Sequence, residues 1–285
     1  MKPLVEAYED YLLANRKLRA ASTDRIYRIA IKQLGQALGH DPSLSDLTDD
    51  ALRKLELLLR GRSAATINER TGRIKALWRW LAKRGLVATW PTLDRLPVAE
   101  PYRRAWSVAE VQQLIAACSL MVGHYDHVPA RLWWNCFIRI LWETGERSGA
   151  TRAIRFDWLT DMGLAVPAAV RKGGKSAFYR LSAAAFAAIG AIRSPPREQL
   201  FPWPLCDSSF YLHYGRLLEA AGLPSNRKSK AQRMRRTHLT YWAIGGGNPT
   251  ARAKHTSSQV TDRYYLDETL LPAEDPLERL PSIDK

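Results

Sequence analysis

RRTHLTYWAIGGGNPTARAKHTSSQVTDRYY, residues 235–265, brings arginines, His255 and the pair Tyr264–Tyr265 into 31 residues with one acid, Asp262. The basic run begins upstream: from Ser225 to His255 there are eight Lys or Arg and no Asp or Glu. A cationic patch that ends in tyrosines is suited to holding a phosphodiester and then attacking it. A solvated basic face followed by a packed aromatic pair explains this stretch equally well, and the rest of the chain has to separate the two.

At 285 residues the chain is long enough for two domains with their own cores. Its formal charge of +15 favours a polyanionic partner, with nucleic acid ahead of a membrane surface, and says nothing of sequence specificity. No apolar run approaches membrane-spanning length, and the start MKPLVEAYEDYL lacks the apolar core of a signal peptide. Cys118, Cys136 and Cys206 are odd in number and widely spaced, which fits a reducing compartment and offers no CxxC zinc motif. The expected location is the cytoplasm, at the nucleoid.

The first hundred residues have a helical pattern. Leu4, Tyr8, Tyr11 and Leu12 recur at helical spacing, as do Ile26, Ile29 and Leu34 after Ser22 as N-cap. A third helix is expected near Thr48. A fourth follows Ser63, carries Ile67, Ile74, Leu77, Trp78 and Leu81 on one stripe, and stops at Gly85. Arg62, Arg70, Arg73, Lys75, Arg79, Lys83 and Arg84 are expected on the opposite faces. Residues 1–95 hold 18 Lys/Arg against 11 Asp/Glu, an imbalance that fits contact with a DNA backbone better than solubility alone.

Periodicity fails from Ala88 to Ala105, with prolines at 91, 97 and 101, the signature of an interdomain linker. Ser107 and Glu110 then form a capping box ahead of Val111, Leu114 and Ile115. A strongly apolar helix, ARLWWNCFIRILWET, should end on Gly145. RFDWL, GLAVPAAV and SAFYRLS are expected as strands, with Lys172–Gly173–Gly174–Lys175 as a hairpin turn. Helix resumes after Ser182, and again from Asp207 to Ala221, closed by Gly222. His124 and His127 lie three apart on a possible helix, but only Asp126 could join them, so no metal site is expected. Gly245–Gly246–Gly247 lacks the GK[ST] of a phosphate loop and is expected to end a helix. The tail after Tyr265 has six acids and two bases, with leucines among prolines; it is either a frayed terminus or a segment that docks on a neighbouring subunit.

Cleaving a phosphodiester without a metal needs two guanidiniums to clamp the phosphate, a nucleophile, and an acid for the leaving 5′ oxygen. Candidates occur at separated places: Arg147 past the apolar helix, Lys172 and Lys175 on the turn, Arg235 in the basic run, then His255 and Tyr264. In this order they resemble the tyrosine recombinase (phage integrase) family. TGERSGATRAIRFDWL carries the first arginine box, VRKGGK the lysine hairpin, QRMRRTHLTYWA the second arginine box, and KHTSSQVTDRYY the histidine and nucleophile. SAATINERTGRIKALWRWLAKRGLV is similar to the last main helix of the family's core-binding domain, so the resemblance spans about residues 3–268.

The resemblance implies that Arg147 and Arg235 hold the scissile phosphate, Lys172 is the general acid with Lys175 as its rival, and His255 hydrogen-bonds the phosphate. Tyr264, whose spacing from His255 matches the family's, would attack to leave a 3′-phosphotyrosyl link and a free 5′ hydroxyl, with Tyr265 the rival nucleophile. Neither ATP nor a metal cofactor is implied. Three features depart from the family's pattern. Gln232 stands where a histidine is usual three before Arg235; Ala150 stands where an acid often follows the first arginine; the interval from Arg235 to His255 is about one helical turn short. Glutamine can still donate or accept a hydrogen bond but takes no proton at neutral pH.

The expected fold is therefore mainly α with a small β-sheet. It comprises an N-terminal helical (SAM-like) core-binding domain over 1–95, a linker over 96–105, a mixed α/β catalytic domain over 106–268 and an acidic tail over 269–285. Its expected function is site-specific DNA recombination, by two domains closing around duplex DNA and working as a homo-tetramer on two DNA segments. Arg62, Arg70, Arg73, Lys75, Arg79, Lys175 and Arg236 are the expected DNA contacts. Two alternatives stay open: a recombinase-like protein that only binds DNA, and a strand-passing enzyme like a type IB topoisomerase.

Overall fold

The computed structural model describes residues 2–15, 21–99, 103–226 and 231–271. The chain divides into two compact units, Met1–Glu100 and Pro101–Lys285.

The first unit is built from helices α1 (Leu4–Ala14), α2 (Ala21–Leu38), α3 (Asp49–Leu58) and α4 (Ala64–Ala82). The caps follow from local chemistry: Thr48 accepts from the Ala51 amide and Ser63 from the Thr66 amide, each filling an orphan donor of the first turn. Ser22 does not cap α2; it is the helix's second residue, because Ala21 is already helical. Tyr8 stacks on Tyr27 at 5.0 Å between ring centroids. Around them Leu34, Leu52, Leu55, Ile74, Leu77 and Trp78 form a core sealed from solvent.

The proline-bearing segment after Ala88 does not behave as a loose connection up to Leu96. It lies along α3 and α4 as a strap. The Asp49 carboxylate accepts from the amides of Thr92 (3.1 Å) and Leu93 (3.2 Å), and the Trp78 indole donates to the Thr89 carbonyl (2.7 Å). Asn68 pairs in both directions with the Leu96 backbone, at 2.7 and 2.9 Å. Prolines stop this stretch from being helical without stopping its other backbone groups from being satisfied by side chains.

In the second unit α5 (Val108–Ala117) starts on the Ser107–Glu110 capping box. β1 (His124–Tyr125) and β2 (Val128–Pro129) form a small antiparallel hairpin, so His124 and His127 are not on a helix. α6 (Ala130–Thr144) follows, and Trp133, Trp134, Cys136, Phe137, Ile138, Ile140 and Leu141 are all buried on it. A helix apolar on nearly every side belongs at the centre of a domain. α5, α8 (Ala183–Ala191), α9 (Asp207–Ala220) and α10 (Gln232–Ile244) supply neighbouring segments of the same domain. The remaining helices are α7 (Ser148–Arg152), α11 (Pro249–Ala253) and α12 (Ser258–Tyr265).

The sheet is a three-stranded antiparallel meander, β3 (Leu159–Thr160), β4 (Gly163–Val166) and β5 (Ala177–Arg180). It is smaller than the sequence suggests. Phe156–Trp158 is a turn of 3₁₀ helix, and Pro167, which has no amide to give a ladder, ends β4 ahead of a second such turn at Ala168–Val170. Val166 pairs with Ala177, so the connection runs from 167 to 176 and Gly173–Gly174 is only its tip. The acidic tail is fastened at its start: Asp267 is buried and accepts from the Ala105 amide at 2.7 Å. From residue 272 onward the acidic tail, read as a frayed terminus or a docking segment, lies outside the described residues.

α6 ends on Gly145 in the left-handed conformation (φ 62°), and a Cβ there would come within 2.3 Å of the His238 ring. Gly145→Ala should therefore destabilise the second unit by about 2–5 kcal/mol, combining backbone strain with overpacking, as read from urea unfolding. Asn68→Ala should cost the first unit about 1–3 kcal/mol by leaving the Leu96 amide and carbonyl unpartnered, and should abolish exchange protection of that amide.

Candidate active site

Gly145, Glu146 and Arg147 follow one another off the end of α6, and each meets a segment distant in the chain. The Gly145 carbonyl accepts from Arg235 Nη1 at 2.7 Å. The Glu146 carboxylate, 1% exposed, accepts from Arg171 Nε at 2.6 Å. Arg147 Nη2 donates to the Tyr265 hydroxyl at 3.2 Å.

α10 brings the second arginine. Arg235 is 1% exposed, and its Nη2 donates to the Ala253 carbonyl (3.2 Å) and to His255 Nε2 (3.1 Å). Its Nε is buried with no hydrogen-bond partner in the protein. Burial and the nearby Arg147 cation both lower its pKa. Because His255 Nε2 accepts from a guanidinium, the imidazole proton resides on Nδ1, which donates to Thr261 Oγ1 at 2.9 Å. Burial, with Arg235, Arg147 and Arg171 around it, pushes His255 down to about 4, so the ring is neutral at pH 7.

The Tyr265 ring lies 4.6 Å from His255 and 5.2 Å from the Arg235 guanidinium. Burial acts to raise its pKa, but Arg147 and Arg235, with hydrogen bonds from Arg147 and Gln232, outweigh it and leave the phenol more acidic than usual. Gln232, the first residue of α10, is thus at the same hydroxyl.

The structure assembles Arg147, Gln232, Arg235, His255 and Tyr265 around one point. Tyr264, the tyrosine expected by spacing, is elsewhere: it is 43% exposed, with its ring between Arg103 and Arg263 at 5.4 and 5.5 Å. Successive residues on a helix point about 100° apart, so only one of the pair can face the arginines. Lys172 and Lys175 are exposed on the turn between β4 and β5.

Among the expected DNA contacts, Arg62 and Arg79 are exposed on α4 or just before it. Arg70 is half-buried beside Glu69 (3.1 Å), and Arg73 is half-buried with its guanidinium 5.3 Å from the Tyr27 ring. Two are not surface groups at all. Lys75 is 4% exposed and donates to the Leu93 carbonyl at 2.6 Å, fastening the strap; burial lowers its pKa. Arg236 is buried on α10, and burial with Arg103 and Arg233 nearby lowers it to about 10. Each lies on the helix face that tertiary packing covers, which charge alone does not reveal.

Three residues at the site escaped the sequence analysis. Glu146 and Arg171 each stand one position before an expected catalytic residue, and their only signal is that adjacency. Arg252 donates from Nε to His238 Nε2 (3.0 Å) and from Nη2 to the Glu143 carbonyl (2.7 Å), clasping α10 and α11 to the end of α6. Among the described residues no group of His, Cys, Asp or Glu could hold a metal ion, and no helix is long and apolar enough to cross a membrane.

No family model matches the chain, and no curated protein matches it by sequence. Solved structures do match. A lambda integrase fragment (residues 75–356), solved as a dimer on a COC′ core site, superimposes with a TM-score of 0.72 at 15% identity, covering 96% of this chain and 99% of that one. The Tn1549 transposon integrase (residues 82–397) with circular-intermediate DNA gives 0.67 at 14% identity over 98% and 97%. XerH site-specific recombinase on a palindromic difH substrate gives 0.66 at 15% identity over 84% and 75%. The chain has the tyrosine recombinase fold.

His238 is also pushed down to about 4 by burial, with its Nδ1 donating to the Trp142 carbonyl. The unfolded chain takes up protons at such histidines near pH 6.5, whereas the folded unit resists until about pH 4. Stability should therefore fall as pH drops through that window. Urea unfolding of wild type and His238→Gln at pH 7.5 and 5 should show the variant losing about 1–3 kcal/mol of the pH dependence.

Proposed function

We propose that this chain is a site-specific DNA recombinase that cleaves and rejoins strands through a 3′-phosphotyrosyl intermediate. The observation that carries the reading is a partly acidified tyrosine hydroxyl on Arg147, beside Arg235 and a neutral His255. Two guanidiniums can take the non-bridging oxygens of a phosphodiester and stabilise the charge that builds on them during attack. The buried Arg235 Nε donor adds to that capacity. Gln232 can hydrogen-bond the attacking oxygen but cannot accept its proton, so ionisation of the tyrosine would rest on the arginines.

We assign the attack to Tyr265 on position. The phenol loses its proton to solvent as the arginines stabilise the phenolate, and its oxygen bonds to phosphorus. The bond to the 5′ oxygen breaks, and Lys172, on its exposed turn, delivers the proton the leaving oxygen takes up. Tyr264 is the second reading, favoured by its nine-residue spacing from His255 and by its exposure. His255 would contact the phosphate through Nε2 only after releasing Arg235 and moving its proton from Nδ1 to Nε2, because a phosphate oxygen only accepts. In the first unit Arg62 and Arg79 are best placed for backbone contacts, with Arg70 and Arg73 contributing from half-buried positions. Exchange between two duplexes would engage four copies.

The test uses suicide substrates nicked near candidate sites from DNA flanking the gene, followed by denaturing gels. Wild type and Tyr264→Phe should form a slow-migrating covalent adduct, and Tyr265→Phe should not. The reverse pattern would hand the attack to Tyr264. Specific binding with no adduct from any substrate would leave a DNA-binding protein, and relaxation of supercoiled plasmid without sequence preference would point to a topoisomerase.

A further inference from the structure

The hairpin that carries Lys172 is tied to the loop that carries Arg147 by side chains that the reaction itself does not use. Arg171 is buried although its neighbours Lys172, Gly173, Gly174 and Lys175 are exposed. Its Nε donates to Glu146 at 2.6 Å, its Nη2 to the Tyr179 hydroxyl at 3.1 Å, and its Nη1 to the Lys175 carbonyl at 2.5 Å. The Tyr179 hydroxyl completes the triangle by donating to the same Glu146 oxygen. Tyr179 is itself held by the sheet, paired with Leu164, and Gly163 lets its backbone approach so closely that a Cβ there would fall 2.0 Å from the Tyr179 carbonyl.

Arg171 thus spans its turn, joining the residue before Lys172 to the carbonyl of Lys175. The only backbone hydrogen bond across the described tip runs from the Gly174 amide to the Arg171 carbonyl, at 2.9 Å. Two adjacent glycines give that tip wide conformational freedom. A turn so constructed, with its one anchor removed, would let an ammonium sample many positions, and misplacement of about 1 Å is costly in a proton transfer. A buried ion pair contributes little net stability compared with apolar packing of the same size, so fixing geometry is the better account of its presence.

We infer that Glu146, Arg171 and Tyr179 form a positioning device that sets the Lys172 ammonium relative to the Arg147 guanidinium. The inference rests on the cleavage reading above, with Lys172 as the acid. Its consequence is chemical. With an oxygen leaving group, breaking the phosphorus–oxygen bond requires the Lys172 proton on the 5′ oxygen. With sulfur in place of that oxygen, the same bond breakage releases a thiolate that needs no proton.

The test compares single-turnover cleavage of ordinary and 5′-bridging phosphorothiolate suicide substrates. On the oxygen substrate Lys172→Ala should slow adduct formation by roughly 100-fold or more. Arg171→Met should slow it by about 10- to 100-fold, with DNA binding unchanged. Tyr179→Phe removes one hydroxyl, keeps the packed ring, and should give a smaller loss of the same kind. On the sulfur substrate all three should approach the wild-type rate. Arg171→Met and Tyr179→Phe equally slow on both substrates, or unimpaired on both, would overturn the inference while leaving cleavage standing. No adduct from wild type on either substrate would remove the cleavage reading and this inference together.

Discussion

The C-terminal end of α6 is the constraint on which the second unit depends. A helix leaves its last carbonyls without intrahelical partners and concentrates negative potential there. Here those carbonyls are not given to water. Trp142 receives His238, Glu143 receives Arg252, and Gly145, just beyond, receives Arg235. Three basic side chains from α10 and α11 thereby converge on a helix that the aromatic core holds in place. The chain leaves α6 in a left-handed turn at Gly145, and the His238 ring occupies the space a side chain there would need. Core packing fixes α6; the end of α6 fixes the arginines.

Convergence of this kind concentrates charge. Arg147, Arg171, Arg235 and Arg252 gather near one buried carboxylate, Glu146, which belongs chiefly to Arg171. Among the described residues no ion pair with an acid is made by Arg147, Arg235 or Arg252; Arg235 and His255 are lowered and Tyr265 is made more acidic. Burial is the larger cause at Arg235 and His255, with the neighbouring cations adding to it; at Tyr265 those cations outweigh burial. An incoming phosphodiester would offset that positive charge, which is why the arrangement supports an anion-binding reading better than a purely structural one.

Helix starts and stops, Ser22 apart, were legible because they are set by contacts within a few residues. Thr48, Ser63, Ser107 with Glu110, Ser182 and Gly145 all mark ends the structure has. The arginine boxes were legible through an ordered likeness to a family, not through local physics. What stayed hidden depends on facing. Lys75 and Arg79 sit four apart on α4, yet one fastens a strap and the other meets solvent, because residues 89–96 cover only part of that helix. The strands were overestimated because apolar runs interrupted by Pro167 suit a buried turn as well as a ladder. Glu146 and Arg171 were missed because a charged residue beside a catalytic candidate carries no sign of burial.

The tyrosine pair shows how far such facing can be argued. Spacing from His255 selects Tyr264, but spacing counts residues and does not measure rotation about a helix axis. The rotation of α12 is set from its far end. Asp267 is buried, takes the Ala105 amide on its carboxylate, and gives its own amide to Thr240 on α10 at 3.0 Å. Thr261, one turn before Tyr265, is buried and accepts from both His255 and Thr250. Turning α12 by the roughly 100° that would bring Tyr264 to Arg147 would withdraw Thr261 from both partners and pull on the Asp267 anchor. Buried groups left without partners cost about 1–3 kcal/mol each. While those bonds hold, the hydroxyl that faces the arginines is that of Tyr265.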